Sequence, residues 1–288
     1  MAQTLNAHAT PLTPPMPAAV PAPPLLWPAE AIWQAVEPAL PGFSVEIRPE
    51  LESTNTELMR RAHLGRADPV LLVAERQTAG RGRLGRHWSS HGADAQAPGH
   101  AAQPSASLTF SLGLALSLQD WSGLSLAVGL SVAHALHRSV RLKWPNDLWV
   151  GERKLGGILI ETLAVGPVRY AVIGIGINID PPAEQGLRTP AAALRDVLPA
   201  LDAAQALGCI ALPLVQTVLR FAKEGFGPLR NAFHDRDLLL GREVVCTDGT
   251  VGQARGVDTS GALLVHTADG LKKISSAEVS VRALAPLA

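Results

Sequence analysis

Residues 74–88 read AERQTAGRGRLGRHW, which sets Arg76, Arg81, Arg83 and Arg86 among Gly80, Gly82 and Gly85. Glycine frees the backbone, and each guanidinium is a permanently charged fork that matches carboxylate or phosphate geometry. The stretch is suited to gripping an anion. GRGRLG also satisfies the dinucleotide pattern G-x-G-x-x-G, but that loop must open directly into a helix, with an acidic residue about twenty positions on. Here the small and polar run HGADAQAPGHAAQPSAS follows, and no HRD, DFG or G-x-x-x-x-G-K-[ST] companion occurs. The run at 91–106 reads as an insertion.

A second polar cluster combines Lys143, Asn146 and Asp147 of KWPND with Lys154, Gly156 and Gly157 of RKLGG. Alone, such residues suit a solvated hairpin. Beside flat glycines they suit a ligand lying against backbone, with Asp147 as a hard oxygen for Mg²⁺ and Lys154 as a point charge for an anion. Gly174-Ile175-Gly176 lacks a third glycine and reads as close strand packing; Asn178 closes that strand. Ser53 and Thr54 open a helical segment, and Thr54 with Glu57 fits a capping box, although free N–H groups and hydroxyls at a helix start also form a polar binding surface.

These residues need a scaffold, and the periodicity supplies one. Residues 29–36 and 54–65 read as helices, 43–47 and 70–73 as strands, 107–115 as a strand, 121–137 as a buried helix, and 140–144 as a strand. Strand, Pro-Asn-Asp turn, strand, Gly-Glu-Arg turn and strand then follow, with 168–178 as a further apolar strand and 212–223 and 228–234 as closing helices. From Leu240 the turn signals TDGT, DTSG and TADG separate short strands, as in a small β-barrel. Residues 1–28, rich in Pro and Ala, read as a disordered tail.

With 25 Lys plus Arg against 25 Asp plus Glu, no global charge draws the chain to nucleic acid or anionic membrane. Any basic site is local. Cys209 and Cys246, the two cysteines, share no metal or redox spacing and read as core, which fits a reducing cytoplasm. His134 and His137 read as packing or satisfied hydrogen bonds, Asp180-Pro181-Pro182 as a turn, and Lys272 with Lys273 as a solvated strand face. No Lys or Arg precedes Arg48, as a signal peptide would require, and the apolar run at 121–136 is interrupted by serines and a histidine. No membrane segment is expected.

In this order ESTN, GRGRLGRHW, KWPNDLWV, RKLGGILIE and GIGIN closely resemble the biotin-protein ligases, over about residues 43–284. The resemblance implies an α/β (α+β) catalytic domain with a mixed sheet and a C-terminal SH3-like barrel. The corresponding divisions are residues 1–42 as tail with one short helix, 43–237 as catalytic domain and 238–288 as barrel. It also implies a two-step reaction. Biotin and MgATP give biotinyl-5′-AMP and pyrophosphate, then a lysine of a biotin carboxyl carrier protein domain, as in acetyl-CoA carboxylase, attacks the mixed anhydride.

Carried over by position, Ser53, Thr54, Asn55 and Gln77 hold the ureido and ring end of biotin. Gly80, Arg81, Gly82 and Arg83 wrap its carboxylate and the acyl phosphate, with Lys154 and Gly157 completing the biotin side. Arg86, Trp88, Asn146 and Asn178 meet ATP and the adenylate, and Asp147 holds Mg²⁺; Arg83 and Lys154 carry the catalytic roles. Some relatives carry an N-terminal DNA-binding domain; the proline-rich start and absence of early basic residues argue against DNA here. The resemblance fits monomer or homodimer equally. A lipoate or octanoyl ligase or transferase is the alternative of the same fold, and a biotin-sensing DNA-binding regulator that of another class. Ordering a glycine-rich loop costs about 1–2 kcal/mol per residue, whereas charge-assisted bonds return about 1.5–3 kcal/mol each, so the loop is expected to order around its ligand.

Overall fold

The computed structural model describes residues 25–88, 106–118, 120–182, 189–275 and 281–283. The tail before Leu25 and residues 91–105 of the expected insertion at 91–106 lie outside the described residues. The chain runs α1 (Ala29–Val36), β1 (Ser44–Leu51), α2 (Thr54–His63), β2 (Val70–Gln77), β3 (Gly80–Arg81), β4 (His87–Trp88), β5 (Ser107–Leu116) and α3 (Leu124–Leu136). It continues with β6 (Val140–Lys143), β7 (Asp147–Val150), β8 (Arg153–Val165), β9 (Val168–Asn178), α4 (Ala203–Glu224), α5 (Arg230–His234), β10 (Glu243–Cys246), β11 (Val251–Val257), β12 (Leu263–Thr267), β13 (Gly270–Ile274) and β14 (Val281–Ala283).

Seven strands form one mixed sheet in the order β1-β2-β5-β9-β8-β7-β6, parallel only between β1 and β2. Alternation along the strands divides its faces. Leu71 and Val73 join the main core with α1, α3 and α4, while Val70 and Leu72 pack with Leu58 and Ala62 of α2. The second face holds the polar residues described below.

Several expected elements change at their ends. α4 begins nine residues before the expected start at Leu212, at Ala203, because Asp202 and Gln205 form a reciprocal cap, Gln205 N donating to Asp202 Oδ1 at 2.8 Å and Asp202 N to Gln205 Oε1 at 3.0 Å. The helix also runs through Pro213. By length and composition α4 could cross a membrane, but Leu207, Ile210, Leu214, Val218 and Phe221 are buried in the core. The expected Thr54–Glu57 capping box is absent. Ser53 is the N-cap and accepts weakly from Thr56 N at 3.4 Å, while Glu57 turns to Arg60 and Arg61.

Residues before 43 are not all tail. Ile32 and Val36 of α1 are buried in the main core, Leu25 and Trp27 pack against it, and Trp27 Nε1 donates to Glu75 Oε1 at 2.8 Å. Cys209 is exposed rather than core, whereas burial of Cys246 raises its thiol pKa. His134 is exposed; His137 Nδ1 accepts from Ser139 N at 3.2 Å.

The C-terminal unit is a five-stranded antiparallel sheet, β13-β12-β11-β10-β14, and among the described residues it is not closed. An SH3-like arrangement fits it. Its apolar face, including Val244, Ala254, Val257 and Leu263, is continuous with the main core through Phe226 and Phe233. Trp144 Nε1 donates to Gly261 O at 3.0 Å, and Gly261, at φ +80°, would place a Cβ 2.7 Å from Gly123 Cα. The small sheet is therefore seated firmly beside the strand ends that carry KWPND.

Candidate active site

A cleft of about 800 Å³ opens on the α2 face of the large sheet. Strand register accounts for its floor, because one transverse row reads Ala74, Thr109, Gly176, Gly157, Asp147 and Lys143 across six strands. The neighbouring row reads Leu72, Ser111, Gly174 and Leu159. Small residues in the middle of these rows leave space above the sheet, and charged residues stand at one end.

At the other end is a buried polar cradle. Thr54 N donates to Gln77 Oε1 at 2.7 Å, and Ser111 Oγ lies 2.6 Å from Thr54 Oγ1 and 2.7 Å from Asn55 Oδ1. Asn55 Nδ2 donates to Glu161 Oε2 at 2.9 Å and to Leu159 O at 3.3 Å. These partners fix which way the Asn55 amide faces. Ser53, Thr54, Asn55 and Gln77 are each no more than 5% exposed. Rigid amide and hydroxyl groups in an enclosed wall suit a neutral polar ring system.

The arginine loop covers the cleft. β3 and β4 form a two-stranded ribbon, with Gly80 opposite Trp88 and Arg81 opposite His87. Arg81 pairs with Glu161 at 3.3 Å, and Arg83 NH1 donates to Asn146 Oδ1 at 3.2 Å. Burial lowers the pKa of Arg83, opposed by the charge of Asp147 and reinforced by Arg86; it nonetheless remains a cation at any workable pH. A partly desolvated cation beside a second cation favours an anion in the cleft. Leu84, at the loop tip, is 80% exposed with φ +57°, a left-handed conformation that costs a non-glycine residue about 1–2 kcal/mol.

Facing the loop, Lys154 Nζ donates to Asp147 Oδ1 at 2.7 Å, and a Cβ on Gly157 would lie 3.6 Å from both. Asn146 Nδ2 donates to Ile158 O at 2.8 Å, holding the turn after the cis Trp144–Pro145 peptide. Lys143 Nζ lies 4.3 Å from the Trp149 ring centroid, and Arg242 of the small sheet makes a two-pronged pair with Glu152 at 2.7 and 2.9 Å. Both pairs border the same cleft.

Two family models match this chain: the Biotin/lipoate A/B protein ligase family over residues 49–178, and the Biotin protein ligase C terminal domain over residues 239–282. The biotin--[acetyl-CoA-carboxylase] ligase of Paracoccus denitrificans is 33% identical over 242 residues, covering 79% of this chain and 96% of its own. This chain belongs to the biotin protein ligase family. The bifunctional ligase/repressor BirA of Escherichia coli is 33% identical over 84% of this chain and 75% of its own. Among solved structures, the biotin protein ligase from Aquifex aeolicus in complex with biotin and ATP superposes with a TM-score of 0.69 at 28% identity, over 83% of this chain and 99% of that one.

Within this family fold, most of the sequence-identified residues converge. Ser53, Thr54, Asn55, Gln77, Arg81, Gly82, Arg83, Arg86, Trp88, Asn146, Asp147, Lys154 and Gly157 all line the cleft. Two do not. Gly80 is buried, and its missing side chain makes room for the loop itself, since a Cβ would fall 2.4 Å from Trp88 O. Asn178 is 8% exposed, and its amide nitrogen donates to Ala192 O at 3.0 Å and Lys154 O at 3.5 Å, which braces the backbone that carries Lys154. Asp147 points at Lys154 rather than at other carboxylates, and among the described residues no group of three His, Cys, Asp or Glu could hold a metal.

Sequence reading missed four other site residues. Ser111 and Thr109 looked like ordinary strand residues until register placed them in the floor. Gly174 and Gly176 do not serve strand packing: a Cβ would fall 2.1 Å from Asn55 Oδ1 at Gly174 and 2.5 Å from the Trp88 ring at Gly176. Of RKLGG, it is Gly156 that serves close strand approach, with its Cβ position 2.4 Å from Gly176 O.

Proposed function

We infer that this chain is an ATP-dependent biotin-protein ligase, which activates biotin as biotinyl-5′-AMP and transfers it to a lysine of a carboxylase carrier protein. The observation that carries this reading is the joining, in one cleft, of a buried amide and hydroxyl cradle with the cations Arg81, Arg83 and Lys154. The two substrates are both anions where they react. Cations must offset their repulsion and hold the carboxylate in line with the α-phosphorus.

In the first step a biotin carboxylate oxygen bonds to the α-phosphorus, and the bond to the bridging oxygen of pyrophosphate breaks. Ser53, Thr54, Asn55 and Gln77 position the ring end, Lys154 and Arg83 hold the reacting oxygens, and Arg81 and Arg86 flank the charged middle. Trp88, lying over Gly176, and Asn146 form the nucleotide side. In the second step a carrier amine attacks the acyl carbon and AMP leaves, so no residue of this chain forms a covalent bond to biotin. The arginine loop excludes water from the anhydride meanwhile.

Magnesium fits this donor set in one way. A single carboxylate facing the cleft, Asp147, with space beside it at Gly157, suits a cation held by one or two carboxylates plus substrate phosphates. Bound there it would offset phosphate charge. The cleft's amide-rich cradle favours biotin over lipoate, whose dithiolane ring offers no hydrogen-bonding groups to it. Action in the cytoplasm on the carrier domain of acetyl-CoA carboxylase or a related carboxylase completes the proposal.

Incubation with biotin, ATP, Mg²⁺ and an apo carrier domain should add the mass of one biotinyl group to a single carrier lysine. Folded protein that leaves the carrier unmodified, or modifies it equally well with lipoate, would overturn the reading.

A further inference from the structure

Glu161 is in direct contact with both halves of the site. It lies on β8, on the same face as Gly157 and Leu159, with its side chain 22% exposed. One carboxylate oxygen, Oε2, accepts from Asn55 Nδ2 at 2.9 Å; the other, Oε1, lies 3.3 Å from Arg81 NH1. Asn55 belongs to the buried cradle and Arg81 to the loop above it.

Asn55 cannot turn freely to follow a different partner. Its Oδ1 is met by Ser111 Oγ at 2.7 Å, and Gly174 leaves no more than the space its amide fills. The Glu161 carboxylate is thus anchored from below by a fixed donor, which leaves its second oxygen aimed at the loop. Arg81 is half exposed, at 51%, and lines the cleft, so one edge of its guanidinium can stay on Glu161 while other N–H groups face a ligand anion. A guanidinium tethered this way loses less freedom on gripping the anion than an untethered one.

We propose that Glu161 is a positioning residue that couples the ring-binding cradle to the arginine loop, holding Arg81 over the acyl-phosphate and so retaining the activated intermediate. Glu161 touches neither reacting atom. The inference rests on the biotin-ligase reading above. Its chemistry separates the two arms: Glu161→Gln preserves an oxygen for Asn55 Nδ2 but removes the charge that attracts Arg81, whereas Glu161→Ala removes both.

The test is the rate at which preformed biotinyl-AMP leaves the full-length protein, followed by gel filtration and by labelling of a bystander protein's amines. An exposed ion pair is modest, so Glu161→Gln should speed release about two- to fivefold, with the biotin KM in pyrophosphate exchange changed less than that. Glu161→Ala should also raise the biotin KM. In an Arg81→Gln background, Glu161→Gln should add nothing to release, which a merely structural role would not produce. Urea unfolding of each variant separates these effects from loss of fold. Unchanged or slower release in folded Glu161→Gln, or full additivity with Arg81→Gln, would overturn the proposal. Failure of the unaltered protein to exchange pyrophosphate with biotin would instead overturn the function on which it rests.

Discussion

Lys154 Nζ sits 2.7 Å from Asp147 Oδ1 at the charged end of the cleft, two residues on adjacent antiparallel strands beside the flat backbone of Gly157. Without ligand each group satisfies the other. An incoming carboxylate and phosphates offer Lys154 new acceptors and, with a cation, give Asp147 a new partner. The pair stores both tools of the chemistry at little cost. Lys154→Met should leave folding within about 1 kcal/mol of the parent while lowering the rate of adenylate formation at least about a hundredfold. Urea unfolding and pyrophosphate exchange read the two quantities separately, and a large loss of stability with normal exchange would contradict this assignment.

Arg83 touches Asn146 across the cleft and is the more buried of the loop's cations. Arg83→Gly should still form biotinyl-AMP but release it at least about tenfold faster, from loss of one or two charge-assisted bonds. Biotin would then appear on unrelated lysines. Labelling confined to the carrier lysine would show that the side chain does not retain the intermediate.

Two glycines on β9 should separate the two halves of the site. Gly174→Ala drives a methyl into Asn55 Oδ1 and should raise the biotin KM about tenfold or more; Gly176→Ala drives one into the Trp88 ring and should act chiefly on the ATP KM. Steady-state kinetics with each substrate varied in turn decides between this and a common effect on both.

How much of this could be read from the chain alone follows from what each feature depends on. The arginine loop, KWPND and RKLGG declare themselves because their chemistry is packed into neighbouring positions. Glu161, Ser111 and Thr109 do not, since their meaning comes from register between strands distant in sequence, which alternation along one strand cannot provide. Asn178 is similar: its amide bond to Ala192 O is a contact set by a loop that periodicity does not describe. Helix ends depart from the periodicity where a local cap outweighs a breaker, as with Asp202 and Gln205 ahead of Pro213. Cys209 was misplaced because composition around it is apolar while its own helix face is exposed.

Stability should depend on pH through Asp237, at the junction between α5 and the small sheet. It is 2% exposed, Oδ1 accepts from Leu239 N at 2.9 Å, and among the described residues Oδ2 has no well-formed hydrogen bond. Burial raises its pKa to about 6. A carboxyl raised above its unfolded value near 3.9 favours the fold when protonated, so this contribution is complete below pH ~4 and is lost as pH rises through 6. Asp237→Asn, which cannot ionise, should therefore be more stable than the parent at pH 8, by at most about 3 kcal/mol, and the difference should vanish near pH 4. A difference independent of pH across urea titrations would place the raised pKa in doubt.

The loop carries three trypsin sites, Arg81, Arg83 and Arg86, and a left-handed, exposed Leu84 at its tip. Biotin with ATP should slow cleavage within residues 80–88 several-fold, as ordering around the adenylate removes the loop from the protease. Equal cleavage with and without ligand, measured by peptide mapping, would rule out a ligand-ordered cover.

Adenylation of biotin in this one cleft is read most directly by exchange of labelled pyrophosphate into ATP, which needs no carrier protein. Exchange should require biotin and Mg²⁺ and should not be supported by lipoate. Folded protein that shows no biotin-dependent exchange, or exchanges as readily with lipoate, would contradict it.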